Sequence, residues 1–387
     1  MSPPRAVVLF TTLGFLALIV SAGMIQTAVE LARHERPRAL EVFDRAPTAA
    51  NLHGYEHTLE EASVVAGTLR PFMQEAQFDL LADAGEKVLV GREGWLFYRP
   101  GVRYATGRPA AVAPGGKPTD PLSAIRSFRD RLATRGIHLL VVPAPDKESV
   151  YPDRLSPRAA GLPGIVCGPT RSLLEHLRAE GVAVVDLFEV DRRARQERSP
   201  SDTRELYLAR DSHWSPEGLR LAVDAVARRS RDLGWVTQGN VAYQERPTPV
   251  QRLGDMLQML RVPRLERALG TETVECSQVV GPDGRLYRDA PDATVLFMGD
   301  SFLRIYERDE PGSAGFVAHL ARALGQPLTS IINDGGASTL VRQELYRRPR
   351  LLAGKTLVIW EFVERDIRDG AEGWQDVPLP AAATDRR

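Results

Sequence analysis

Hydrophobic positions follow three regimes along this chain. From Ala6 to Val29 no side chain is charged, and at about 1.5 Å rise per residue a helix of that length crosses the roughly 30 Å hydrocarbon layer of a bilayer. From 30 to 84, charged and apolar residues mix at helical spacing, as in Leu59-Glu60-Glu61-Ala62 and Phe72-Met73-Gln74-Glu75. That mixture predicts a helical stalk or lead-in. From 85 onward, short continuous apolar runs alternate with amphipathic stretches, which predicts an α/β domain over 85–370.

Within that domain the strands are expected at Val88–Gly91, Trp95–Tyr98, Ile137–Pro143, Val182–Leu187, Thr294–Met298, Leu328–Ile332 and Thr356–Phe362. The helices fall at Pro121–Arg135, 170–180, Ser215–Leu233, 313–325 and 339–352. Runs such as Leu139-Leu140-Val141-Val142 lack polar alternation, so they read as parallel strands covered on both faces. A mostly parallel sheet binds its ligands at the carboxyl ends of the strands. Residues 107–120, rich in Pro, Gly and Ala, predict a loop. Residues 234–292 break the alternation with charged and Pro-containing sequence and predict an insertion or irregular excursion. The segment 371–387, rich in Ala, Pro and Asp, predicts a disordered tail.

Charge narrows the function by exclusion. The 387 residues carry 50 basic and 50 acidic side chains, and without a basic excess there is no electrostatic case for nucleic acid. Cys167 and Cys276 belong to no CxxC or Cys/His spacing, so neither zinc nor another metal is expected and no cofactor is called for. In an exported chain the two cysteines can pair or remain two buried thiols, and both alternatives stand. Charges on either side of the apolar run, Arg5 before it and Glu30, Arg33, His34, Glu35, Arg36 and Arg38 after it, set no clean orientation. The run exceeds the usual signal-peptide core, which favours an uncleaved anchor over cleavage near Ser21-Ala22-Gly23.

The chemistry concentrates in two short motifs, Asp211-Ser212-His213-Trp214 and Gly299-Asp300-Ser301-Phe302. Ser301 follows the apolar run Thr294–Met298 and so lies in a tight turn at a strand end, with its hydroxyl free. A neutral hydroxyl is a poor nucleophile until an imidazole takes its proton and a carboxylate holds the imidazole in the right tautomer. His213 and Asp211 are the candidates, in a loop just before Ser215-Pro216-Glu217, which reads as a helix N-cap with Pro at the first turn. The bland alternative is that Asp211 and His213 merely stabilise that loop. Asp-x-His can also begin a metal site, but no further His, Asp or Glu cluster in the sequence completes a ligand set.

Gly299-Asp300-Ser301 resembles the nucleophile block of the SGNH/GDSL esterases, whose Asp-x-x-His block lies after the serine. With Asp-x-His-Trp placed before it, the chain instead resembles the rearranged SGNH-like domain of the periplasmic alginate O-acetyltransferases, the AlgJ and AlgX type. Gly91-Arg92-Glu93-Gly94-Trp95-Leu96-Phe97-Tyr98, Val142-Pro143-Ala144-Pro145-Asp146-Lys147 and Trp360-Glu361-Phe362-Val363-Glu364-Arg365 agree with that family. The resemblance implies a three-layer SGNH hydrolase-like α/β domain behind a transmembrane helix, anchored in the inner membrane with its catalytic domain in the periplasm. It implies a serine O-acyltransferase that uses Ser301, His213 and Asp211. An exopolysaccharide is the implied acceptor, and a membrane-bound O-acyltransferase the implied acetyl source. Oxyanion donors, whose removal costs roughly 100- to 1000-fold in such chemistry, are then expected from the Ser301 N–H and from Asn333-Asp334-Gly335-Gly336. Lys147 and Arg365 match family positions and either hold an anionic sugar, orient loops or form salt bridges. The sequence leaves no room after the domain for the carbohydrate-binding module of the AlgX type, so the architecture is expected to be nearer AlgJ. An acetyl esterase with the same triad and a catalytically silent polysaccharide-binding or assembly protein are the rival readings.

Overall fold

The computed structural model describes residues 5–44, 46–65, 67–68, 86–107, 120–199, 201–260, 262–369 and 373–380. The chain divides into two units, Met1–Asp83 with Arg261–Arg264, and Ala84–Leu260 with Leu265–Arg387.

In the first unit a 28-residue helix runs from Arg5 to Ala32. Within its Thr12–Ala32 stretch an 18-residue window has a mean hydropathy of 1.8 and is nowhere buried, so by length and composition it fits a membrane anchor. Its C-terminal end is tied down by polar contacts: Glu30 Oε2 accepts from the Arg38 N–H (3.0 Å) and Gln26 Oε1 from the Val64 N–H (2.8 Å). A second helix covers Ala49–Ala62. The expected helical stretch at Phe72–Glu75 lies outside the described residues.

The second unit is built on a five-stranded sheet. In chain order the strands of this unit are β1 (Val88–Val90), β2 (Leu96–Tyr98), β3 (His138–Ala144), β4 (Ala183–Val184), β5 (Gln244–Pro247), β6 (Val250–Arg252), β7 (Glu272–Val274), β8 (Ser277–Val280), β9 (Val295–Gly299), β10 (Thr329–Ile332) and β11 (Leu357–Val363). The order β10-β9-β11-β3-β4 is parallel throughout. Every residue of β9 and β11 is buried, as a strand covered on both faces requires.

Because successive residues point to opposite faces, the sheet feeds two cores. Leu140, Val142, Phe297 and Ile359 pack with Leu219, Val223 and Val226 of the Pro216–Asp232 helix and with Phe316 and Leu320 of the Phe316–Leu324 helix. Leu139, Val141, Met298 and Trp360 face the opposite layer, with Ile125, Phe128 and Leu132 of the Pro121–Ala133 helix and Leu173, Val341 and Leu345. The result is a three-layer α/β domain.

Several expectations are corrected. β4 is shorter than Val182–Leu187 because Asp186 caps a new helix at Leu187–Glu197, its Oδ1 accepting from the Glu189 N–H (3.1 Å). The helix expected at 339–352 ends at Arg347 and continues as a 3-10 turn at Pro349–Leu352, since Pro349 has no N–H to continue the ladder. The excursion at 234–292 contains regular structure: two antiparallel ribbons, β5 with β8 and β6 with β7, and an Asp255–Leu260 helix. Residues 373–380, expected in a disordered tail, are ordered. Trp374 is buried against Phe362 (4.9 Å) and Trp360 (5.6 Å), and Asp376 pairs with Arg131 at 2.6 Å. Average composition hid one tryptophan able to bury that segment. Cys167 and Cys276 are both buried and free.

Candidate active site

Ser301 stands at the carboxyl end of β9, one strand in from the sheet edge, where the chain turns into a single helical turn, Ser301–Arg304. Asp300 makes that turn rigid. Its N–H donates to Glu361 Oε2 (3.1 Å), its Oδ1 accepts from the Phe302 N–H (2.9 Å) and its Oδ2 from the Val363 N–H (3.1 Å). The Asp300 carboxyl is thus a cap that ties the turn to β11, and burial pushes its pKa up. A Cβ on Gly299 would lie 2.3 Å from Glu361 Oε2, so a larger residue here would have to displace the carboxyl that receives the Asp300 N–H. No acceptor among the described residues takes the Ser301 N–H.

The facing loop is anchored just beyond its active residues. Trp214 is buried against Phe302 (4.8 Å) and Phe316 (5.3 Å), and its carbonyl accepts from Tyr306 Oη (3.1 Å). Ser215 Oγ then caps the Pro216–Asp232 helix through the Glu217 and Gly218 N–H groups (3.1 and 3.2 Å). With the loop fixed at this end, His213 bridges the two motifs. Its Nδ1 lies 2.7 Å from Asp211 Oδ1 and its Nε2 lies 2.9 Å from Ser301 Oγ. Asp211 and His213 are buried, whereas Ser301 is half-buried.

Charge reinforces this alignment. Burial alone would raise the Asp211 carboxyl, but the hydrogen bond and charge of His213, together with Arg252, outweigh it and hold the group well below the usual carboxylate range. Burial alone would lower His213. The bond to Asp211 and the charges of Asp211 and Asp255 reverse that, so the imidazole sits above its ordinary pKa.

Two of these partners, Arg252 and Asp255, come from the excursion and carried no signal in the sequence. Arg252 Nε donates to Asp211 Oδ2 at 2.9 Å. Asp255 accepts from the Ser212 N–H (2.7 Å) and Ser212 Oγ (2.6 Å), and its Oδ2 lies 3.6 Å from His213 Nδ1. Asp211, His213 and Asp255 therefore bring three ligand-type atoms within 4.8 Å of one another, a grouping that the sequence did not reveal. The Arg252 guanidinium beside Asp211 opposes a cation there, and His213 Nδ1 is already bonded to the carboxylate.

The remaining sequence candidates lie around this centre in supporting positions. Lys147 is buried and its ammonium donates to three backbone carbonyls, those of Leu96 (2.6 Å), Ala209 (2.8 Å) and Asp211 (3.0 Å). Of the three alternatives it takes the orientation of a loop. Burial lowers its pKa to about 8. Arg365 pairs with Asp146 at 2.5 Å and stacks over Tyr98 at 5.0 Å, taking the salt-bridge alternative. Asn333 continues β10, with its N–H on the Gly299 carbonyl (3.0 Å). The Gly335 N–H donates to Asn333 Oδ1 (3.0 Å) and the Gly336 N–H to the Asn333 carbonyl (3.3 Å), so both glycine donors are engaged inside their own turn.

The family described as SGNH hydrolase-like domain, acetyltransferase AlgX, matches residues 88–364 of this chain. The probable alginate O-acetylase AlgJ of Pseudomonas aeruginosa is 24% identical over 315 residues, covering 74% of this chain and 72% of that protein. Its namesake from Pseudomonas fluorescens is 22% identical over 318 residues, covering 77% and 74%. Among solved structures, the O-acetyltransferase domain of Pseudomonas putida AlgJ superposes with a TM-score of 0.56 at 21% identity, covering 73% of this chain and 92% of that one. At that identity the shared property is the fold. The AlgX match extends over β1 to β11 and both motifs, and this chain belongs to the family of SGNH hydrolase-like, AlgX-type acetyltransferases.

Proposed function

We propose that this chain is a membrane-anchored serine O-acetyltransferase that acetylates a hydroxyl of an exported polysaccharide. The observation that carries the reading is the unbroken relay from Asp211 through His213 to Ser301, at 2.7 and 2.9 Å, on a chain of this family. Ser301 Oγ attacks the carbonyl carbon of the acetyl donor while His213 Nε2 takes its proton. The resulting oxyanion falls to the Ser301 N–H as donor. Collapse breaks the bond to the leaving group, which recovers the proton from His213, and leaves acetyl-Ser301. A sugar hydroxyl then gives its proton to His213 and attacks the acetyl carbon, and Ser301 is restored.

The relatives named alginate O-acetylases support a polysaccharide acceptor, and the apolar Arg5–Ala32 helix supports attachment to the inner membrane with the second unit in the periplasm. A membrane-bound O-acyltransferase is the proposed acetyl source.

The test is a trapping experiment with the full chain in detergent. A small activated acetyl ester should add one acetyl group at Ser301, detected by mass spectrometry, and oligosaccharide should discharge it faster than water does. Rapid discharge to water that ignores every sugar, with loss of acetyl groups from acetylated polysaccharide, would replace transferase by esterase. A chain that acquires no acetyl group and turns over no ester would leave the binding-protein reading.

A further inference from the structure

The β6 ribbon contributes more to the site than cover. Asp211 is fully enclosed, and each of its carboxylate oxygens has two donors. Oδ1 accepts from the His213 N–H (3.1 Å) and faces Nδ1 (2.7 Å), whereas Oδ2 accepts from Arg252 Nε (2.9 Å) and from the Asp255 N–H (3.2 Å). Half of the hold on the acid therefore comes from residues about forty positions away in sequence. Arg252 is in turn steadied by Asp309 at 3.6 Å and by the Tyr306 ring at 5.9 Å. The ribbon approaches closely only because residue 254 is glycine: a Cβ there would stand 2.1 Å from the Arg210 carbonyl oxygen.

We propose that Arg252 and Asp255 are the positioning residues of this reaction, Arg252 locking the orientation of Asp211 and Asp255 acting as a second carboxylate for the His213 imidazolium. The inference rests on the triad reading and adds to it a four-residue charge arrangement in which the acid is shared between imidazole and guanidinium. When Ser301 gives up its proton, positive charge appears on a buried ring. Asp211 and Asp255 both lie within 4 Å of its Nδ1, where an effective dielectric far below that of water makes each contact count. The other charged groups that bear on this pair are Arg252, which opposes the imidazolium, Lys147 and Glu272 behind the loop, and Asp300 from the nucleophile turn. Asp255 is the member of this set held against the ring from outside both motifs.

The experiment uses the full chain in detergent, with p-nitrophenyl acetate as substrate from pH 5 to 9. In the wild-type protein the acid limb of kcat/KM should lie above the ordinary imidazole value of about 6.5. Asp255→Asn keeps the shape and removes the charge, and should move that limb down by roughly half a unit to one unit with KM little changed. Asp255→Glu should leave the limb where it is, and Asp255→Ser carries the same test should the asparagine variant fail to fold. Arg252→Met should cut kcat by about 100-fold, with Arg252→Lys recovering part of it.

Coincident acid limbs for wild type, Asp255→Asn and Asp255→Ser would overturn the role of Asp255, and full kcat in Arg252→Met would overturn that of Arg252. Neither result touches the triad, which fails separately if Ser301→Ala retains wild-type turnover.

Discussion

Ser301 and His213 meet at 2.9 Å, but opposite kinds of support bring them there. Ser301 is held by the sheet: β9 is paired on both sides, and Asp300 ties the turn to β11 through backbone N–H groups. His213 is held by side chains, with Asp211 inside the loop, Arg252 reaching in from a two-stranded ribbon, Asp255 from the start of the helix that follows it and Lys147 gripping the loop carbonyls from behind. A parallel sheet loses little when one surface contact goes. A loop fixed by a few buried charges loses its alignment when any one of them is removed, because the group left behind has no partner. Sensitivity should therefore concentrate on the base side for every residue except the nucleophile.

The nucleophile is the largest expected effect. Ser301→Ala should lower acetyl transfer by 10⁴-fold or more, by the order of magnitude typical of triads, with an unaltered circular dichroism spectrum and melting temperature. Retained transfer, in the presence of donor and oligosaccharide, would remove the relay as the source of activity.

Next comes the ribbon. Gly254→Ala places a methyl group against the Arg210 carbonyl oxygen and should displace Arg252 and Asp255 by a few tenths of an ångström or more. A loss of about 100-fold in kcat is expected, since small misplacements of catalytic groups cost that much. A crystal structure of the variant with the ribbon unmoved and kcat intact would break the contrast between the two sides of the site.

Lys147→Met sharpens the contrast on the stability axis. It leaves the buried Leu96 and Asp211 carbonyls without this donor, while the Ala209 carbonyl keeps the Leu96 N–H (2.9 Å), and should cost about 2 kcal/mol in a urea titration. The deficit should depend on pH. Burial holds the folded-state pKa of Lys147 near 8, below its unfolded value, so between about pH 8 and 10.4 the unfolded chain binds the extra proton. Wild-type stability relative to the methionine variant should then rise with pH across that window. A difference that stays flat from pH 7.5 to 10.5 would mean the lysine is not held as described.

The smallest effect is expected at the rim. Asp334 is mostly exposed and its ion pair with Arg304 spans 3.0 Å, a contact worth about 0.5 kcal/mol or less. Asp334→Ala should change neither the melting temperature measurably nor the rate by more than a factor of two. A tenfold loss of transfer would show that the Asn333–Gly336 turn takes part in acceptor or oxyanion binding after all.

These contrasts also mark how far the chain could be read before folding. The apolar runs of β3, β9, β10 and β11 placed the sheet to within one or two residues, because continuous burial leaves its own mark in hydrophobicity. Ser215 and Pro216 announced the start of the following helix through capping chemistry, which is local. The two motifs supplied Asp211, His213 and Ser301 as residue types, and family resemblance put them in order. Arg252 and Asp255 were not legible, since a charged residue in a ribbon looks the same in sequence whether it faces solvent or a buried carboxylate 41 or 44 positions away. The same reason hid the surroundings of Lys147: that its ammonium would meet three carbonyls depends on where β2 and the Asp211 loop converge. The sequence by itself determined the layers of this domain and the reactive residue types it carries, because periodicity, capping and side-chain identity act over a few neighbours. Only the tertiary structure decided which charges surround the imidazole, because pKa and orientation are set by groups that the chain brings together from segments far apart in sequence.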